Sequence, residues 1–305
     1  MNTNKSTQPN LNHLLIKQKL LMEASGINDD VITLSDFLFN DLKNSNLAIG
    51  ENIIYDDLDL PILKSVNIIE LVVVIVAYEN YVRGEFSLDH STETENNNYK
   101  ILIRISEITQ ETIYHEINHV LQFILKGKES SLKQEYYNKS YQTASRVINQ
   151  PPFKYFIDLI YFSQEGEINS LVAETYPLIK NIKSKRDAVN TVKRSNAHQV
   201  AKSLINYNIF EEFKDLDEYD VGVFFELIKT INRSTMEKFD KDVFIEKIVP
   251  IIQDIYKGNL DAPYVEVTEN RMKNNQRKIN LQGEKLRRKL FRLLSLIELN
   301  QENEQ

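Results

Sequence analysis

The chain contains no cysteine, and this removes two classes of chemistry at once. Disulfides cannot staple the fold, and every zinc site that uses a thiolate is excluded, so any metal ligands must be His, Asp or Glu. An excess of positive charge is missing too. The formal net charge of -7 argues against a nucleic-acid-binding role for the molecule as a whole, because most of its surface repels a polyanion. Residues Met1 to Asn10 are polar and lack the basic-then-apolar order of a secretory signal, so a cytoplasmic location is the expectation. Long hydrophobic runs are absent as well. The most apolar one, Val66 to Tyr78, carries Glu70 and is far shorter than the roughly 20 residues of a membrane helix, so it reads as a buried strand and no membrane partner is expected. No internal repeat is evident.

What is present describes a folded globular chain. With 305 residues, 42% hydrophobic and 27% charged, it can bury a full core as one large domain or two of ordinary size. Helical periodicity occurs around Leu14, Leu15 and Leu21, and again around Leu34, Phe37, Leu38 and Leu42, with Ser35 or Asp36 near a helix start. Three strands follow: Val66 to Ala77, Tyr81 to Leu88 and Tyr99 to Ile105, the last two separated by an Asn-rich loop, Ser91 to Asn98. From Ser106 the pattern is helical, with breaks at Pro151-Pro152, Pro177, Pro250 and Asp261-Ala262-Pro263. Helices, then a small sheet, then many helices is segregated α+β, predominantly helical. The corresponding segments are 1–48, 49–180 and 181–305, of which the last two can form one continuous domain.

The segment Thr109 to Gly127 has the marks of a well-formed helix. Thr109 can cap it, Ile108 can staple against Ile113, and Ile113, Ile117, Val120, Leu121 and Ile124 make one apolar stripe, which predicts a half-buried helix. His115 and His119 stand four residues apart and so lie one turn above each other, with both imidazoles able to reach one metal ion. Glu116 is rotated about 100° from His115, where a carboxylate can take a proton from a water on that ion. Composition alone would generate only about 0.01 H-[DE]-x-x-H matches in a chain of this make-up, so accident is a poor explanation.

Strand Tyr99 to Ile105 followed by His115-Glu116-Ile117-Asn118-His119-Val120-Leu121-Gln122 resembles the active-site region of the zincin metallopeptidases. The resemblance runs from the strands to the Glu167 region. It implies a small sheet packed on an active-site helix, a Zn2+ cofactor held by His115 and His119, and Glu116 as general base. Metzincins carry Gly and His three and six residues after the second histidine, and here Gln122 and Leu125 stand there; deformylase-like enzymes need a cysteine ligand. The remaining likeness is to the gluzincins, in which a glutamate on a later helix completes the site. Glu167 is the candidate, since Ser170 one turn on is small enough for close helix approach and Ile168, Leu171 and Val172 supply a packing face; Glu165 and Glu174 are the alternates. The thermolysin pattern also puts an aspartate four residues past the ligand glutamate. Leu171 occupies that place, which leaves the outer partner unassigned.

On this reading the protein hydrolyses peptide bonds of a peptide or protein substrate by metal-activated water, with proton transfer through Glu116. His198, Tyr161 and Tyr155 are candidate oxyanion donors. A peptide can add as a strand to an exposed sheet edge, and Tyr81 to Leu88 is either that edge or part of the sheet core. The aminopeptidase motif G-x-M-E-N is absent, which favours an endopeptidase. Glu129 to Gln150 forms a polar insert that either walls the cleft or is surface. Residues 271 to 292 carry nine basic side chains, including Arg271, Lys285 and Arg292, over an apolar stripe of Leu286, Leu290, Leu293, Leu294 and Ile297. That helix is either a packed helix with a solvated basic face or a dock for an acidic partner. The alternative for the whole chain is a catalytically silent zincin-like binding or assembly protein, and either role would suit a phage or mobile-element setting.

Overall fold

The computed structural model describes residues 27–56, 63–64, 68–77, 84–88, 99–126, 137, 140–141, 144–145, 148, 150–236 and 269–303. Within these, the fold is α+β and mostly helical, with one four-stranded mixed sheet. The chain divides into two compact units of non-contiguous stretches. The first comprises Met1–Leu121, Asn169–Gln199 and Leu286–Gln305, and the second Gln122–Ile168 and Val200–Lys285. These divisions cut across the contiguous segments 1–48, 49–180 and 181–305, and they fall inside helices rather than in linkers.

Helix α1 spans Asp29–Ser45. It starts where Asn28 Oδ1 accepts the Val31 N–H at 2.8 Å, with Asp29 and Asp30 in the first turn facing the positive end of the helix dipole. It stops at Asn46, whose left-handed φ of 50° ends the helix. Ser35 and Asp36 are therefore mid-helix rather than near its start. Ser35 is fully buried, and Asp36 serves a distant contact: it accepts from Lys180 Nζ at 2.6 and 2.8 Å and from the Tyr114 hydroxyl at 2.9 Å. Burial, then the Asp36 carboxylate, raise the Tyr114 pKa far above its ordinary value, so this phenol stays protonated and donating. The segment around Leu14, Leu15 and Leu21 lies outside the described residues.

The sheet has strands β1 (Asn52–Asp56), β2 (Ile68–Ile75), β3 (Gly84–Leu88) and β4 (Tyr99–Ile105), in the order β1-β2-β4-β3. Strands β2 and β4 pair in parallel, while β1 and β3 flank them antiparallel. Sequence patterning identifies three of the four. It misses β1, an edge strand in which Tyr55 is the one buried side chain, so the alternation is too short to read. Leu71, Val73 and Ile75 of β2 and Ile101, Ile103 and Ile105 of β4 are buried, giving the sheet one densely packed face. Opposite residues in the β3–β4 ladder share a face, and Gly84 pairs with Ile105 and Phe86 with Ile103. Strand β3 thus turns Gly84 and Phe86 toward that packed side.

Helix α2 (Gln110–Lys126) follows β4 after a short turn, and Thr109 Oγ1 accepts the Thr112 N–H at 3.2 Å as its cap. The expectation of a half-buried helix is corrected: none of the residues from Gln110 to Ile124 is exposed. The apolar stripe buries one side. Tyr114, Glu116 and Asn118 are buried as well, because β3 and further helices cover the flanks that the periodicity left polar.

Helices α3 (Pro151–Phe162), α4 (Glu165–Ile179), α5 (Lys185–Arg194), α6 (Asn196–Asn206), α7 (Ile209–Phe213), α8 (Glu218–Met236) and α9 (Glu269–Asn303) complete the described structure. Pro151-Pro152 do not interrupt a helix; they open α3, where their missing N–H groups need no partner. Pro177 lies inside α4 rather than breaking it, close enough to the end that only the last turn is disturbed. Pro250 and residues 261–263 are outside the described residues.

The second unit is built on an aromatic core. Phe153 stacks on Phe224 at 4.2 Å, and Phe156 touches Phe213, Phe224 and Phe225. Tyr141, Ala144 and Ile148, from the insert expected to wall a cleft or lie on the surface, are buried in this same cluster, so that part of the insert is core. In α9, Leu286, Leu290, Leu293, Leu294 and Leu296 are buried. The side chain of Ile297 is outside the description. Two of the basic residues have structural duties: Arg271 donates to the Phe225 carbonyl at 3.0 Å and lies over its ring, and Lys285 pairs with Glu165 at 3.0 Å. Among the described residues, no helix is long and apolar enough to cross a membrane.

Candidate metal centre

Helices α2 and α4 run antiparallel, and a buried hydrogen bond sets their register. Asn118 Nδ2 donates to Ser170 Oγ at 3.0 Å, with Asn118 2% exposed and Ser170 0%. A buried amide without such a partner would cost about 1–3 kcal/mol, so a slide along the helix axis is opposed. The small serine expected to permit close approach is also the acceptor that fixes it.

Three consequences follow along the two helices. One turn toward the start of α2, His115 Nδ1 meets Glu174 Oε2 at 3.0 Å. Asn196, at the start of α6, donates to the other oxygen of Glu174 at 3.0 Å. An ionised carboxylate only accepts, so against Glu174 the donor is Nδ1 of His115, and Nε2 faces His119. That nitrogen lies 3.1 Å from Nε2 of His119. One turn before Ser170, Glu167 is buried at 1% exposure, and it joins His115 and His119 in a group whose ligand atoms all lie within 4.8 Å of one another.

This donor set fits a zinc ion. Two nitrogens on one tetrahedral ion with bonds of ~2.0–2.1 Å stand about 3.3 Å apart, close to the 3.1 Å observed here. Two imidazoles and one carboxylate are also the composition of a catalytic centre that keeps a fourth position open. All three sequence candidates are therefore brought together. The alternates lie outside this group: Glu165 is exposed and paired with Lys285, and Glu174 meets Nδ1 of His115. Glu174 stands seven residues past Glu167, two turns along, where the resemblance would put an aspartate at four.

Glu116 is 5% exposed and lies under strand β3. Phe86, two residues along the same strand, stacks on His119 with ring centroids 5.8 Å apart and planes at 19°. The edge strand therefore covers both Glu116 and His119. Of the oxyanion candidates, Tyr155 is engaged edge-on with Tyr207 and Tyr161 with Phe162, at 5.8 and 5.2 Å. His198 follows Asn196 by two residues on α6 and is half-buried.

An outer carboxylate of this kind is testable. Replacing Glu174 by Ala removes the acceptor that selects the His115 tautomer, and zinc affinity is expected to fall about 10–100-fold. Competition titration against a chromogenic chelator measures it. An unchanged affinity would remove Glu174 from the site.

No protein-family model, no curated protein and no solved structure matches the chain.

Proposed function

We propose that this protein is a zinc metallopeptidase, an endopeptidase that hydrolyses peptide bonds with Glu116 as general base. The observation that carries the reading is the convergence of His115, His119 and Glu167, with Glu116 on the same helix turn as the two histidines. A structural metal site has no use for a buried carboxylate beside its ligands that is not itself a ligand.

Zinc held by these three residues would supply Lewis acidity, acidifying a water molecule and polarising the scissile carbonyl. Glu116 takes the proton of the attacking water and returns it to the leaving amine. Its burial beneath β3 keeps bulk water from competing for the carboxylate, which strengthens proton transfer along the intended path. Glu174 and Asn196 hold His115 in one tautomer and one ring orientation throughout. Substrate alignment comes from the sheet. Among the described residues β3 is an edge strand, bonded in the ladder to β4 alone, so an extended peptide can pair along its outer side and pass over the base and ligands.

The test is metal analysis of purified protein combined with digestion of a peptide library. About one zinc per chain is expected, with cleavage that stops on chelation and returns with zinc. Protein that binds no zinc at all would sink both the centre and the reaction; zinc without cleavage would leave a silent binding protein.

A further inference from the structure

A glycine in a strand brings no side chain to pack and often marks a close approach of another group to the backbone. Gly84 stands at the first residue of β3, on the face turned toward α2. A Cβ added there would lie 2.6 Å from Oε1, 2.7 Å from Cγ and 2.8 Å from Cδ of Glu116. Real Cβ atoms do not come this close to another heavy atom, so any side chain at 84 must displace either the strand or the carboxylate. The strand is held by its ladder to β4, with Gly84 opposite Ile105, and the helix is held by its buried surroundings and by the Asn118–Ser170 bond. The movable partner is the Glu116 side chain.

We infer that Gly84 is a positioning residue for Glu116: its missing side chain is the seat in which the carboxylate rests, and the backbone of β3 sets where that carboxylate points. The inference rests on the proposed peptidase reading for its catalytic meaning, but its structural half stands on the contact alone. Phe86 adds the second point of the same device. Gly84 lies over Glu116 and Phe86, two residues on, lies over His119, so the strand meets the helix at two successive places. A glycine at one and an aromatic at the other match what lies beneath, a carboxylate stem that needs room and a flat imidazole that offers a stacking surface.

A double-mutant cycle on the full chain tests this, with thermal unfolding of wild type, Gly84→Ala, Glu116→Ala and the double variant. Gly84→Ala is expected to lower the melting temperature by several degrees in the wild-type background and to be nearly neutral once Glu116 is Ala, because the group it collides with is gone. An equal drop in both backgrounds, or failure of both Gly84→Ala proteins to fold, would overturn the inference. In turnover, Gly84→Ala is expected to reduce kcat about 10²-fold with KM and zinc content retained, the signature of a displaced base rather than a lost site. An unchanged kcat would leave the contact but remove its positioning role. A wild-type protein that cleaves no peptide would instead refute the peptidase reading, and the unfolding cycle would still decide whether Gly84 seats Glu116.

Discussion

Glu116→Gln is expected to slow peptide hydrolysis by orders of magnitude while leaving about one zinc on the chain. The substitution keeps the shape that fits beneath Gly84 and removes the one property the mechanism needs, a basic oxygen. General-base catalysis contributes about 10²–10⁴-fold, and kcat should fall within that range with KM little altered, since no substrate contact is lost. The stem remains in its seat and His115 and His119 are untouched, so metal content should not change. The pairing of the two measurements matters. Loss of activity together with loss of zinc would make Glu116 a structural member of the centre, and retention of activity would eliminate it as the base.

The second large effect is expected at Glu167. Of the three ligand candidates it is the most deeply buried, and it comes from a different helix than the two histidines. Glu167→Ala removes the only anionic donor of the set. Two neutral imidazoles on one helix turn then remain, and zinc affinity should fall by more than the roughly 10–100-fold that follows loss of an outer partner. Mass spectrometry of the native protein or calorimetric zinc titration reads this directly. Glu165→Ala, two residues away on the same helix, serves as the control: its carboxylate is exposed and paired with Lys285, so metal content should be that of wild type. Full zinc occupancy in Glu167→Ala would move the third ligand elsewhere.

Much of the candidate site is legible in the sequence because its parts are local. Spacing alone puts His115 and His119 on one side of a helix, and Thr109 marks where that helix starts. Glu167 could be ranked because helix packing needs a small residue near a ligand, and Ser170 is one. What escaped depends on which helix and strand residues meet across the fold. By sequence Glu174 reads as an alternate third ligand. Its contact with His115 emerges only from the antiparallel register of α2 and α4, which the Asn118–Ser170 bond fixes. Gly84 offered even less: one glycine in a predicted strand has no periodicity, and its meaning lies in the carboxylate beneath it. The same holds for Asp36, a plausible cap by type but in the structure an acceptor for Lys180 and Tyr114, both distant in sequence. Composition marks such residues as polar and says nothing of whom they serve.

Strand β4 follows β2 and β3 in the chain yet lies between them in the sheet. Strand β3 therefore has its ladder only once β4 is in place, parallel to β2 and antiparallel to β3, whereas β2 also pairs with β1. Parallel pairing across an intervening strand is non-local and slow to form. Helix α2 is tied to the end of β4 by a short turn, so the same pairing carries His115, Glu116 and His119 beneath β3. A nascent or partly unfolded chain would hold two exposed imidazoles and an uncovered carboxylate, with no aligned substrate edge above them. On the proposed function, hydrolytic competence arises only when the sheet closes, and an incompletely folded copy is spared the ability to cut its neighbours.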